Sequence, residues 1–182
     1  MTALFTDDAA PGFDDPLGML KACHRRIERQ LATLDRLSRH LPDHGCDADA
    51  RAAATGILRY FDTAAPHHHA DEEESLFPRL LAAAPATGPL VARLEAEHGV
   101  LAASVARLRP ALAALAAGHP AELPEEWVKA AAAAYTAHIA VEETGLLPLA
   151  QGALDAATLA TIGAEMAARR GVDPETLGPR GA

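Results

Sequence analysis

Aromatic side chains make up only 4% of this sequence, and β-branched residues are few, so little is available to build strands. Much of the 49% hydrophobic fraction is alanine, the best helix former. An all-α fold is the expectation, and 182 residues suit one domain with a sizeable core. Cysteine is nearly absent: Cys23 and Cys46 stand far apart, without CxxC spacing. That pattern predicts a reduced, cytoplasmic setting. Basic residues are in deficit, 16 against 25 acidic, for a formal net charge of -9. Such a balance repels phosphate backbones and anionic lipid, which argues against nucleic-acid and membrane partners. No apolar run approaches the roughly 20 residues of a membrane span. The start, MTALFTDDAAPGF, has neither a basic n-region nor an apolar h-region, so no secretory signal is expected. HExxH, GxSxG and glycine-rich phosphate loops are missing too, which removes the common hydrolase and nucleotide classes.

What is present divides cleanly. Residues 1–14 read as a flexible acidic arm, 15–170 as the domain and 171–182 as a Gly/Pro-rich tail. Asp15-Pro16 is a helix start, a capping carboxylate followed by proline at the first helical position. The first helix is expected to end near Leu41, before a Pro42-Asp43-His44-Gly45 turn. The second covers about 48–83, with Pro66 and Pro78 as kinks. The third covers about 89–117 and ends at Gly118-His119-Pro120. A fourth runs from Pro124 to about Ala150, softened by Gly145 and Pro148, and a short fifth occupies about 154–170.

An internal repeat carries the chemistry. Leu20-x3-His24-x2-Ile27-x3-Leu31-x2-Leu34 recurs 74 residues on as Leu94-x3-His98-x2-Leu101-x3-Val105-x2-Leu108. His68-x3-Glu72-Glu73-x2-Leu76-Phe77-Pro78 recurs 70 residues on as His138-x3-Glu142-Glu143-x2-Leu146-Leu147-Pro148. Two tandem αα-hairpins, each with one lone histidine and one His-x3-Glu pair, predict an up-down-up-down four-helix bundle with pseudo-twofold symmetry. Residues i and i+4 lie about 40° apart on a helix, so each pair can aim at one point. The histidines share their stripes with Ile57 and Phe61, with Ala131 and Ala134, and with the leucines of the repeat, and therefore face the core.

Four imidazoles and two carboxylates buried without partners would cost several kcal/mol each, and a metal supplies the partner. The candidate ligands are His24, His68, Glu72, His98, His138 and Glu142. Imidazole with carboxylate suits iron, manganese, zinc or copper, and six donors exceed the needs of one tetrahedral zinc. With both glutamates bridging, the set fills about eight positions; an oxo or hydroxo bridge adds two, leaving about two of twelve open on two octahedral ions. His67-His68-His69 leaves a register choice. The repeat selects His68, and His69 is the next candidate. Glu73 and Glu74 read as a solvated face, His40, His44 and His119 as solvated ends, and Tyr135 as a packed aromatic with its hydroxyl at the bundle rim. Glu95-x-x-His98 matches the ferritin-type Glu-x-x-His pair once, with Lys21 at the corresponding place before His24, which is chance-level.

The H…HxxxEE…H…HxxxEE order, with LFP and LLP endings, resembles the hemerythrin-like HHE cation-binding domain over about residues 15–150. The segment Met166-Ala167-Ala168-Arg169-Arg170-Gly171 is similar to one in bacterial members. The resemblance implies two iron ions, with the four histidines terminal and Glu72 and Glu142 bridging, and a small diatomic or peroxide ligand. Oxygen-carrying relatives place two histidines one turn apart on the third helix, whereas Leu94 and Ala102 flank His98 here. Their fourth-helix carboxylate is an aspartate one residue later, where this chain has Glu143. The cysteine-bearing extension of some iron-centre repair proteins is missing. A more open site follows, less suited to simple reversible oxygen carriage; the expected function is binding or sensing oxygen, nitric oxide or peroxide, in oxidative or nitrosative stress response. Turnover of peroxide or nitric oxide, iron or zinc storage, and a structural module are the competing readings. No protein partner is evident.

Overall fold

A computed structural model describes residues 11–173, so the expected arm and tail lie largely outside the described residues. Seven α-helices and no strands are found there: α1 (Pro16–His44), α2 (Ala48–Ala70), α3 (Phe77–Ala83), α4 (Gly88–Ala116), α5 (Glu125–Val141), α6 (Leu147–Ala153) and α7 (Ala156–Arg169). The starts follow local chemistry. Asp15, Asp47 and Asp155 each accept the N–H three residues on, from Gly18 at 2.9 Å, Ala50 at 2.8 Å and Thr158 at 2.8 Å. Gly45, at φ +66°, closes α1 by donating its N–H to the Leu41 carbonyl, a left-handed turn that glycine adopts without strain. The expected end near Leu41 is therefore three residues early. Pro42 costs the helix one donor without stopping it, because the Gly45 bond spans the last turn.

α2 and α3 are joined without a break by a π-helical turn, Asp71–Leu76, and α5 and α6 by another, Glu142–Leu146. In each, the residue before a proline donates back five positions to a glutamate of the repeat: Phe77 N–H to Glu72 O, and Leu147 N–H to Glu142 O. Pro78 and Pro148 are thus not simple kinks. Each lacks the N–H that an α-turn would need, and its ring would press on the carbonyl four residues back. One extra residue in the turn relieves both problems.

α1, α2, α4 and α5 form a ring in which α1 and α4 each pack against both α2 and α5. Their buried side chains make two separate cores. One holds Ile27, Leu31, Ile57, Phe61, Leu101, Val105 and Tyr135. The other holds Leu20, Leu76, Phe77, Leu94, Leu146 and Leu147, capped by Ile162 and Met166 of α7. The histidines fall at the seam: His24 between Leu20 and Ile27, and His98 between Leu94 and Leu101. α7 seats closely because Gly163 has no side chain. A Cβ there would lie 1.8 Å from the Phe13 carbonyl oxygen. One correction concerns hydropathy: Pro85–Ala116 is long and apolar enough, by length and composition, to cross a membrane. Its alanines account for much of that, and Val91, Leu94, Leu101, Val105, Leu108, Leu112 and Leu115 are core residues of the bundle.

Candidate metal centre

The seam between the cores gathers all six residues singled out in the sequence. His24, Glu72 and Glu142 are fully buried, His68 is 1% exposed, His138 3% and His98 4%. They form two overlapping groups, His24–His68–Glu72–Glu142 and Glu72–His98–His138–Glu142, whose donor atoms lie within 4.8 Å of one another in each group. Both glutamates belong to both groups. His68, not His67 or His69, is the histidine brought to Glu72.

These atoms approach without satisfying one another. His138 Nε2 is 2.9 Å from Glu142 Oε1, and His24 Nε2 is 3.0 Å from Glu142 Oε2. His98 Nε2 is 3.3 Å from Glu72 Oε2, and His68 Nε2 is 3.7 Å from Glu72 Oε1. None is a hydrogen bond, and the last is too long to be one. His24 Nε2, His68 Nδ1, His98 Nε2, His138 Nε2 and all four oxygens of Glu72 and Glu142 are buried without a partner. At about 1–3 kcal/mol per unsatisfied buried group, the eight would cost on the order of 10 kcal/mol. That rivals the entire stability of a domain. A cation among them removes the cost for all but His68 Nδ1, and the donor set fits one: neutral imidazole nitrogens and carboxylate oxygens, all hard or borderline ligands.

The charge balance points the same way. Burial and the neighbouring Glu142 charge push the Glu72 carboxyl well above the ordinary range. Burial also acts on Glu142, but contacts from His138, His24 and His98 overcome it and hold that carboxyl low. Two buried carboxylates side by side cannot both ionise without a positive partner. Burial and the neighbouring His24 keep His68 well below its usual pKa, so it stays neutral and available as a ligand.

A second layer holds the rings. His24 Nδ1 is 3.0 Å from Glu143, His98 Nδ1 2.5 Å from Glu73, and His138 Nδ1 2.9 Å from Glu97. An ionised carboxylate only accepts, so Nδ1 carries the proton and Nε2 keeps its lone pair facing inward. Arg25 in turn holds Glu143 at 3.1 Å, and Arg93 holds Glu97 at 2.7 Å. Sequence reasoning missed all three carboxylates and assigned Glu73 to solvent. The signal was the doubled glutamate of each HxxxEE: the first faces the cluster and the second clamps the lone histidine of the other hairpin. Glu97 carried no such signal. Its counterpart in the first hairpin, by the 74-residue repeat, is Cys23, and of the four clustered histidines His68 is the one whose Nδ1 has no partner.

Glu74 stays on the solvated face, its side chain 68% exposed, and pairs there with Arg169 at 3.0 Å. Three other expectations change. His40 is 2.9 Å from Asp47 and stacks on His44, bracing the first turn. Tyr135 is no rim residue: it is 2% exposed and packs 5.7 Å from Phe61. His69 lies flat on His98, ring centroids 4.0 Å apart, and burial, with the His98 ring beside it, pulls its pKa down to about 3. The arginine pair near the C-terminus acts on the site from outside. Arg169 and Arg170 both reach the buried Asp71, at 2.5 and 2.6 Å, at the head of the turn that supplies Glu72 and Glu73.

Residues 15–150 match the family model for the hemerythrin HHE cation-binding domain. An uncharacterized protein of Haemophilus influenzae is 33% identical over 160 residues, 88% of this chain and 92% of that protein. The repeated His and HxxxEE elements, the buried cluster that they build and the extent of the match lead to one conclusion: the chain belongs to the hemerythrin HHE cation-binding domain family.

Proposed function

We propose that the cluster holds two iron ions, one in each overlapping group, with Glu72 and Glu142 shared between them, and that the protein binds a small ligand there: oxygen, nitric oxide or peroxide. The observation that carries this is the gathering of six buried residues, each with partnerless polar atoms, into two groups with two carboxylates in common. Iron would supply redox chemistry and open coordination positions. His24, His68, His98 and His138 would hold one face of each ion and leave the remainder to the ligand. The chain's own part is to exclude water between two apolar cores and to fix three of the imidazoles through Glu143, Glu73 and Glu97. The same donors suit zinc or manganese. Cytoplasmic residence, a role in oxidative or nitrosative stress, and the up-down-up-down course of the bundle belong to this reading. The last is supported by the short first turn and by Cys46, at the start of the second hairpin arm, reaching the Leu115 carbonyl at the end of α4. Metal analysis and an optical spectrum of aerobically purified protein test it. Two irons per chain, with carboxylate-bridged ferric absorption, are expected; one ion or none per chain would overturn the two-iron reading.

A further inference from the structure

Between α2 and α4 lies a cleft of about 290 Å³. Phe61, Ala65, Ala102 and Val105 give it apolar walls, and Tyr135 and His69 stand among them as polar groups. Arg109 lies at its solvent side, paired with Asp62 at 2.5 Å, both side chains about half exposed. Other hollows of similar size, such as the one at Thr33, Arg36 and His40, lie away from the cluster. This one abuts it. Ala65 and Tyr135 each precede a cluster histidine by one turn, Ala102 follows His98 by one turn, and His69 stacks on His98.

Two observations say what such a cleft would take. Tyr135 is 2% exposed as a residue, but its hydroxyl is not among the buried atoms left without a partner, so the little surface it keeps includes that oxygen, on the side of the cleft that it lines. A phenol O–H that meets water at a cleft can exchange that water for an oxygen acceptor that enters there. The volume is the second. At about 30 Å³ per water-sized molecule, the cleft would hold on the order of ten, whereas a diatomic gas needs one such place. Mostly apolar lining with a few convergent polar groups is the pattern of small-organic-ligand sites, and the size is at their lower end. A ligand matching it has a short apolar body and one oxygenated end.

We propose that this cleft binds the organic part of a short-chain alkyl hydroperoxide, with its oxygenated end between Tyr135 and His69, directed toward the cluster. The proposal rests on the function proposed above and narrows its ligand from peroxide in general to organic hydroperoxides. Ala102 admits the body, where a larger residue would fill the cleft.

The test uses tert-butyl hydroperoxide and the full chain loaded with zinc, which is redox-inert, so that binding is read without turnover. Saturation-transfer NMR should show the methyl groups in contact with the protein. Ala102→Phe, a change at an exposed position, should weaken binding at least tenfold with zinc content unaltered. Tyr135→Phe keeps the volume and removes one hydrogen bond, so it should weaken binding roughly fivefold, which preserves the test should Ala102→Phe fail to fold. The same titration on the chain without metal separates the two ideas. Chain that takes up no metal but still binds the hydroperoxide sensitively to Tyr135→Phe sinks the metal reading and keeps the cleft. No transfer in the wild-type chain, or transfer unchanged in both variants, overturns the proposal.

Discussion

An imidazole can turn only one nitrogen to a cation, so something must hold the other. Here Glu143, Glu73 and Glu97 do so for His24, His98 and His138, each within 3.0 Å. Outer carboxylates of this kind typically change metal affinity about 10- to 100-fold. Glu97→Gln should therefore weaken metal binding by that factor while leaving the fold intact, measured by competition with a chromophoric chelator. An unchanged affinity would mean that the carboxylate only decorates the surface. The inner set should respond more strongly. Glu72→Ala with Glu142→Ala removes the four oxygens common to both groups, and less than one metal ion in ten should remain by elemental analysis. His68→Ala should lose far more metal than His67→Ala, since only His68 is gathered with Glu72; equal losses would place the ligand elsewhere in the run.

At the scale of the element, the π-helical turns decide where the glutamates point. Each depends on a proline, Pro78 or Pro148, that cannot donate to the carbonyl four residues back. Pro78→Ala restores that donor and lets the turn tighten toward α-helix. Glu72 and Glu73 would then rotate together relative to the rest of the bundle. The expected result is lower metal content with helical circular dichroism unchanged or increased; full metal retention would show that packing alone sets the turn. α7 contributes through its arginines. Asp71 has no exposure and sits under Arg169 and Arg170, whose side chains are 18% and 20% exposed. Removing both guanidiniums strands a buried carboxylate, which costs about 3–5 kcal/mol. At about 2–4 °C per kcal/mol for a chain of this size, Arg169→Gln with Arg170→Gln should lower the melting temperature by roughly 10 °C. Asp71→Asn should cost less, because the partly exposed arginines can turn to water. A larger loss for Asp71→Asn would show that Asp71 serves the turn by something besides this ion pair.

For the whole molecule, the polar seam divides what would otherwise be one continuous core into two. Its cohesion without metal depends on protonating Glu72 or on letting the seam loosen. Ligand binding to the native state alone stabilises by mass action, about 2.7 kcal/mol at a hundredfold excess over Kd. Chelation should thus lower the melting temperature by several degrees and soften the seam first, seen as faster hydrogen exchange around residues 68–76 and 138–146. A melting curve indifferent to chelator would favour a structural role for the module.

Much of this was open to reading from the chain alone, because the determining forces are local or periodic. Alanine content and capping aspartates at 15, 47 and 155 specify helices within their own few residues. A stripe that repeats at 74 and 70 residues places six donors on core-facing positions, since helix periodicity ties sequence spacing to direction. The outer carboxylates were not legible in that way. Glu73 and Glu143 follow the clustered Glu72 and Glu142 by one residue and look solvent-facing on a regular α-helix. Only the widened turn and an adjacent helix bring them to His98 and His24. Glu97, the arginine clamp on Asp71, the burial of Tyr135 and the cleft beside Ala102 are likewise products of how helices distant in sequence pack. Side-chain type and period fix which face a residue takes, but which partner stands across from that face is settled only when separate segments share the same few ångströms.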